Sequence, residues 1–235
     1  MSTFADQLRR NLEQLRQQID QAADRGRRCP DEIRIVATTK YVQSPVARQL
    51  VGFGHTLLGE SRPQELWKKA AELAGLPIEW HLIGHLQRNK IRRTLPLVTL
   101  IHSVDSQRLL DALEEEATAL GQTVNVLLEV QISGDESKHG FTAADVERVI
   151  GQAGQWPHVT IQGLMGMAGL EADADQARKQ FAQLRQLRDR LQSTAPHFIS
   201  LKELSMGMSG DFVQAILEGA TLVRIGSALF EGIAE

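Results

Sequence analysis

Residues 33–45 read IRIVATTKYVQSP, and this stretch decides between two α/β architectures. Its first half is rich in β-branched residues, the composition of a strand. Ser44 and Pro45 then open a helix over 44–54, Ser44 as its N-cap and Pro45 at the first helical position. An open doubly wound sheet usually carries a glycine-rich dinucleotide loop after its first strand. Here the strand-to-helix turn, TTKYVQSP, has no glycine. The pattern favours the other architecture, a closed (β/α)8 barrel.

Strand and helix signals alternate outward from this stretch. Strands are predicted over 55–61, 78–84, 97–105, 124–132, 159–167, 202–208 and 221–230. Helices are predicted over 62–75, 106–121, 142–155, 173–192 and 209–219, while 85–93 reads as a short polar segment. Ser106, Thr142 and Ser209 stand as N-caps, and Gly121 ends its helix. A leading helix over 4–27 is marked by Phe4, Leu8, Leu12, Leu15 and Ile19 at spacings of three and four. That makes about eight β-then-α units, the number that closes a barrel of typically about 250 residues. Several strands are apolar throughout, as strands covered on both faces are. No linker or composition break divides residues 1–235, so one barrel domain with an extra N-terminal helix and no second β domain is expected.

Composition sets outer bounds. A hydrophobic fraction of 42% and a charged fraction of 23% suit a globular chain with a real core. The net charge of −3 offers no strongly basic face for nucleic acid. No apolar run reaches the roughly 18 residues of a membrane span, and MSTFADQLRRNLEQLRQQID has no apolar core of a secretory signal. The single cysteine, Cys29, excludes an internal disulfide or a multi-thiolate zinc cluster. A cytoplasmic protein is expected.

In such barrels the active site lies at the C-terminal ends of the strands. By alternation Val36, Thr38 and Lys40 share one face of the first strand. With Val36 and Thr38 inward, Lys40 stands over the barrel mouth. It is either a lysine that snorkels to water or a partly desolvated amine able to form a Schiff base with a carbonyl ligand. The loops after strands 7 and 8 are the usual phosphate site. SMGMSGD (205–211) and VRIGSALF (223–230) place Ser209 and Ser227 there, with Met208 and Gly226 beside them. Helix capping by Ser209 and phosphate binding use the same geometry, and both readings stand. Arg224, two residues before Gly226, shares its face, and a fixed cation there needs a partner or a function. A ligand carrying an aldehyde and a phosphate fits this set, and pyridoxal 5′-phosphate is such a ligand.

Longer stretches carry a resemblance. IVATTKYV (35–42), LLGESRPQE (57–65), WHLIGHLQRNK (80–90), KHG (138–140), GLMGM (163–167) and above all LSMGMSGDFVQAILEGATLVRIGSALFEG (204–232) resemble the YggS/PROSC family of pyridoxal phosphate homeostasis proteins. The resemblance covers essentially the whole chain. It implies the fold-type III barrel, like the barrel domain of bacterial alanine racemases. It implies that Lys40 carries the internal aldimine. It implies that Ser209, Gly226 and Ser227 hold the phosphate, and that Arg224 faces the pyridine nitrogen. Two positions depart. The family usually has GEN where this chain has Gly59-Glu60-Ser61, so Ser61 replaces an asparagine near the cofactor, and Gln131 stands where asparagine is often found.

A carrier is expected rather than an enzyme. A two-base racemase needs an acid–base group on each face of the substrate carbanion. Tyr41, the one tyrosine, adjoins Lys40 and should point to the opposite side of the strand. His81 and His85 are the remaining candidates, and His81 is counted with the cofactor site. An arginine keeps its proton, so a pyridine nitrogen facing Arg224 stays unprotonated and is a poor electron sink. The expected protein is a monomer that binds pyridoxal phosphate reversibly in vitamin B6 and amino/keto acid homeostasis, with apo-enzymes as recipients. The alternatives are a weak racemase, or a Schiff-base aldolase using Lys40 without pyridoxal phosphate.

Other motifs are set aside. In HLIGH (81–85) the glycine and the strand break the helical spacing of a zinc motif. GMSGD lacks the spacing of a nucleophile elbow. Met165 or Met167 could pack near a cofactor ring, QRNKIRR reads as a solvated face, and Lys138 sits in a loop that could reach the barrel mouth.

Overall fold

Residues two apart on a strand point the same way, and the side chains sort accordingly. Val36, Leu57, Leu100, Leu127, Met165 and Leu222 form one small apolar cluster. Their strand neighbours Ile35, Leu58, Ile101, Leu128, Leu164 and Val223 belong to a second, larger one, shared with helix residues such as Leu50, Leu66, Leu110 and Phe181. Two apolar layers separated by one ring of strands are what a closed barrel inside a ring of helices requires.

The computed structural model describes residues 3–133 and 140–233. The eight strands are β1 (Arg34–Thr38), β2 (Leu57–Glu60), β3 (Glu79–Leu82), β4 (Leu100–Val104), β5 (Val124–Val130), β6 (Val159–Gly166), β7 (Glu203–Met208) and β8 (Leu222–Ile225). All pair in parallel in sequence order, and β8 returns to β1 through Val36 opposite Arg224, closing the barrel. The open doubly wound sheet is thereby excluded. The helices are α1 (Phe4–Arg25), α2 (Ser44–Gly52), α3 (Pro63–Glu72), α4 (Ile91–Thr94), α5 (Gln107–Leu120), α6 (Ala143–Gly151), α7 (Ala174–Thr194) and α8 (Phe212–Leu217). Among the described residues no helix is long and apolar enough to cross a membrane.

The leading helix α1 buries Leu8, Leu12, Leu15 and Ile19 along one stripe and packs against α8. Its Asn11 side chain donates to the carbonyls of Leu229 (3.0 Å) and Glu231 (2.9 Å), tying the start of the chain to its end.

Helix ends differ from expectation in instructive ways. Thr142 forms a full capping box with Asp145, and Gly121 ends α5 in the left-handed region at φ 63°. Ser106 holds the N-cap position but makes no capping hydrogen bond. Gln43, not Ser44, is the N-cap of α2, because the Ser44 hydroxyl is drawn to the Glu72 carboxylate. Ser209 does not cap α8. That helix begins at Phe212 with Asp211 as N-cap, and β8 ends at Ile225 rather than running on to 230. Residues 134–139, with the loop lysine Lys138, lie outside the described residues.

Candidate functional site

The sequence places its candidate residues where strands end, and the structure gathers those ends on one face of the barrel. β1 stops at Thr38, and Lys40 lies in the turn that follows. The Thr39 backbone is held on both sides. Its N–H donates to the Gly59 carbonyl (2.9 Å), and its own carbonyl accepts from the Lys69 ammonium (2.6 Å). Lys69 and Glu60 form a buried ion pair at 2.6 Å, with relative side-chain exposures of 5% and 0%. Glu60 also accepts from the Ser61 N–H at 2.8 Å and from the Thr39 hydroxyl at 3.3 Å. A buried pair survives only with such extra hydrogen bonds. Here it fixes the peptide from which Lys40 projects.

Lys40 itself is exposed, its ammonium 4.5 Å from the centroid of the Tyr41 ring. Two expectations are corrected. The lysine is not partly desolvated over the barrel, and Tyr41 does not point away from it. Both assumed that strand alternation continues to residue 41, but the turn begins after Thr39. The amine is open to solvent, and its contact with the Tyr41 ring is a cation–π interaction worth about 0.5–1 kcal/mol.

On the side of β1 away from β2, β8 and its neighbour β7 end side by side. The Ser209 hydroxyl oxygen accepts from two backbone amides, Gly226 N–H at 3.3 Å and Ala228 N–H at 3.2 Å. Two N–H groups converging on one oxygen is a small anion nest. Gly207 makes the chain reversal possible, at φ 91° and with a Cβ position only 2.5 Å from the Ala215 side chain. The Met208 amide donates to Asp211 (2.6 Å), and burial pushes the Asp211 carboxyl above its ordinary range. Ser227 is exposed in the turn after Gly226. Gly226 lies beside Thr38: a Cβ there would stand 3.4 Å from the Thr38 Cβ and carbonyl oxygen. Among the described residues, Thr38 Oγ1 is the one buried side-chain polar atom without a hydrogen-bond partner. An orphaned hydroxyl between the lysine turn and the phosphate-type nest is a group that fits a ligand.

Arg224 points inward beneath them and is 5% exposed. It donates to the Ser205 carbonyl (2.8 Å), the Ser205 hydroxyl (2.6 Å) and the Gly166 carbonyl (3.1 Å). Burial lowers its pKa to about 10, which leaves it charged at neutral pH. These three bonds use three of its five N–H donors.

The remaining candidates are dispersed. Ser61 follows β2 and packs so closely on Gly84 that any side chain at Gly84 would meet the Ser61 carbonyl at 2.3 Å. Met208 is 36% exposed at the rim, Met165 is buried in the barrel and Met167 is 39% exposed. His81 is buried, bonded to Glu79 (3.0 Å) and His102 (2.9 Å). His85 is exposed and faces Asp105 at 3.3 Å, so the two histidines of HLIGH sit in different surroundings. The sequence reading missed Lys69, His102 and Ser205. The last two carried a signal: each is a polar residue at an inward position of a mostly apolar strand.

The comparisons with known proteins agree with the barrel fold. The family model for the alanine racemase N-terminal domain matches residues 5–233. The chain is 37% identical over 219 residues to the pyridoxal phosphate homeostasis protein of Aquifex aeolicus, covering 93% of this chain and 95% of the relative. It is 36% identical over 230 residues to the protein of the same name in Pseudomonas aeruginosa, covering 98% and 96%. The structure of PipY from Synechococcus elongatus with pyridoxal phosphate bound superposes with a TM-score of 0.80, at 36% identity, covering 91% of this chain and 99% of that one. From its barrel, its strand-end site and these relatives, the chain belongs to the family of pyridoxal phosphate homeostasis proteins.

Proposed function

We propose that this chain binds pyridoxal phosphate reversibly through a Schiff base on Lys40 and hands it on to apo-enzymes in the cytoplasm, with little or no turnover of its own. The observation that carries the reading is the joint placement of three features at one barrel end. These are the exposed Lys40 amine, the orphaned Thr38 hydroxyl and the Ser209–Gly226–Ala228 nest. The bound PipY relative and the names of the curated relatives support it. The cofactor supplies an aldehyde that an amine can capture with loss of water, and a dianionic phosphate that can be gripped.

The chain's own residues divide the work. The Lys40 amine bonds the aldehyde carbon, and an exposed linkage is one that water can hydrolyse again. The amides of Gly226 and Ala228, with the hydroxyls of Ser209 and Ser227, hold the phosphate. Arg224, with two N–H groups that take no partner among the described residues, faces the ring nitrogen and keeps a proton off it. Ser61 and Met208 border the ring. Tyr41 shares the Lys40 turn and His81 has both ring nitrogens engaged, so neither is a free acid–base group for the far face of a substrate.

Titration of the protein with pyridoxal phosphate, followed in the visible spectrum, tests this. A saturable yellow band is expected, weakened at least about tenfold when pyridoxal replaces the phosphate ester. The loaded protein should reactivate a pyridoxal phosphate-dependent apo-enzyme and leave the Cα hydrogen of free amino acids unexchanged in deuterium oxide. Rapid Cα exchange would mean a racemase instead. A colourless protein that forms a borohydride adduct only with a carbonyl substrate would mean an aldolase.

A further inference from the structure

The barrel interior holds a polar path that the cofactor reading leaves unused. Arg224 N–H donates to the Ser205 hydroxyl (2.6 Å), and that oxygen lies 2.8 Å from His102 Nδ1. His102 Nε2 lies 2.9 Å from His81 Nδ1, and His81 Nε2 lies 3.0 Å from Glu79 Oε1. Four hydrogen bonds thus cross the barrel from β8 through β7, β4 and β3. Ser205 and His102 are fully buried and His81 is 1% exposed. At its far end Glu79 opens on a cleft of about 450 Å³ at the N-terminal ends of the strands, lined also by Arg34, His55 and Arg16.

The chemistry of the ends fixes the direction of every link. The Glu79 carboxylate can only accept, so His81 carries its hydrogen on Nε2. Burial holds His81 below its ordinary pKa, so it is neutral and its Nδ1 accepts. His102 must then donate from Nε2. It too is held neutral, well below the ordinary value, by burial and by His81, Arg224 and Arg34. Its Nδ1 therefore accepts, the Ser205 hydroxyl donates to it, and the Ser205 lone pairs face Arg224, which can only donate. All hydrogens point one way, from the guanidinium to the distant carboxylate. Arg34 (3.5 Å from Glu79, 3.1 Å from Glu203) flanks the carboxylate end.

We propose that Glu79, His81, His102 and Ser205 are positioning residues, an oriented hydrogen-bond chain that presents Ser205 to Arg224 as a fixed acceptor and so sets the guanidinium against the cofactor's ring nitrogen. The role toward the cofactor rests on the pyridoxal phosphate reading; the orientation of the chain does not. Glu79 is partly exposed and lines the cleft at the other end of the barrel from Lys40, so it acts on the ring through this path and not by contact.

Nitrogen-15 spectra of the imidazoles and the spectrum of bound pyridoxal phosphate together test it. In the unloaded full chain at neutral pH, His81 and His102 should both show the neutral Nε2–H tautomer. Glu79→Met removes the terminal acceptor, so the His102 tautomer should redistribute and the absorbance and emission of bound pyridoxal phosphate should shift. Glu79→Gln still accepts from His81 through its amide oxygen and should restore both signatures. Ser205→Ala cuts the path next to Arg224 and should weaken pyridoxal phosphate binding about tenfold. An Nδ1–H tautomer or an imidazolium at either histidine in the native chain would overturn the orientation. Identical cofactor spectra for Glu79→Met and native protein would overturn the positioning role. If the native chain takes up no pyridoxal phosphate, the role toward the cofactor fails with that reading, while the imidazole spectra still decide whether the oriented chain exists.

Discussion

Thr38 gives the sharpest prediction available from one side chain. Its buried hydroxyl lacks a partner, a penalty that the folded protein carries without return until a ligand arrives. Thr38→Val should therefore raise stability by about 1 kcal/mol in urea unfolding while weakening pyridoxal phosphate binding. Loss of stability together with unchanged affinity would contradict the assignment. Ser209→Ala has the opposite profile in the free protein. It leaves the Gly226 and Ala228 amides without their acceptor, and should cost about 1–2 kcal/mol and loosen pyridoxal phosphate about tenfold. The positions of the candidates Lys40, Ser209 and Arg224 at the strand ends were legible in the sequence because each is a polar residue that closes or interrupts an apolar run. The role of Lys69 was not. In WKKAAE it reads as a surface charge, and only the approach of α3 to the end of β1 turns it inward to Thr39.

Short elements explain why some boundaries misled. TLVRIGSALF has strand composition to its end, yet β8 stops at Ile225 because the Gly226 amide turns to Ser209. Pairing decides a strand's length more than propensity does. The same bond between loops takes the Ser209 hydroxyl away from α8, which starts three residues later than its sequence suggests. The strand-to-helix turn after β1 depends on the Lys69–Glu60 pair. Lys69→Met leaves a buried carboxylate unpaired and should cost about 3–5 kcal/mol. Combining it with Glu60→Gln should recover part of that loss, since the amide oxygen can still accept from the Ser61 N–H. Urea titrations of the two singles and the double would show the coupling, and strictly additive losses would count against it.

The whole molecule carries its pH dependence in buried histidines. Burial and nearby Arg16 lower His55 from 6.5 to about 4, and His81 and His102 are lowered too, by burial first. Below pH 6.5 the unfolded chain takes up protons that the folded chain refuses, so stability falls as pH drops from 6.5 toward 4. At pH 5 His55 alone accounts for about 2 kcal/mol. Glu79, held below its ordinary range first by the His81 hydrogen bond, loses its contribution at still lower pH. Urea midpoints should be flat from pH 7 to 8 and decline below 6.5, with a shallower decline in His55→Gln.

At this scale the sequence was most legible. Eight apolar runs alternating with amphipathic helices admit few closures, and a first turn without glycine removed the main competitor. The interior polar path was not legible as a path, because His81, His102 and Ser205 are far apart in the chain, and β4 and β7 face each other only when the sheet closes. The most direct test of the account is borohydride reduction of the pyridoxal phosphate-loaded protein, followed by peptide mapping. The account predicts a single pyridoxyl adduct on Lys40. An adduct on another lysine, or none with Lys40 unmodified, would contradict it.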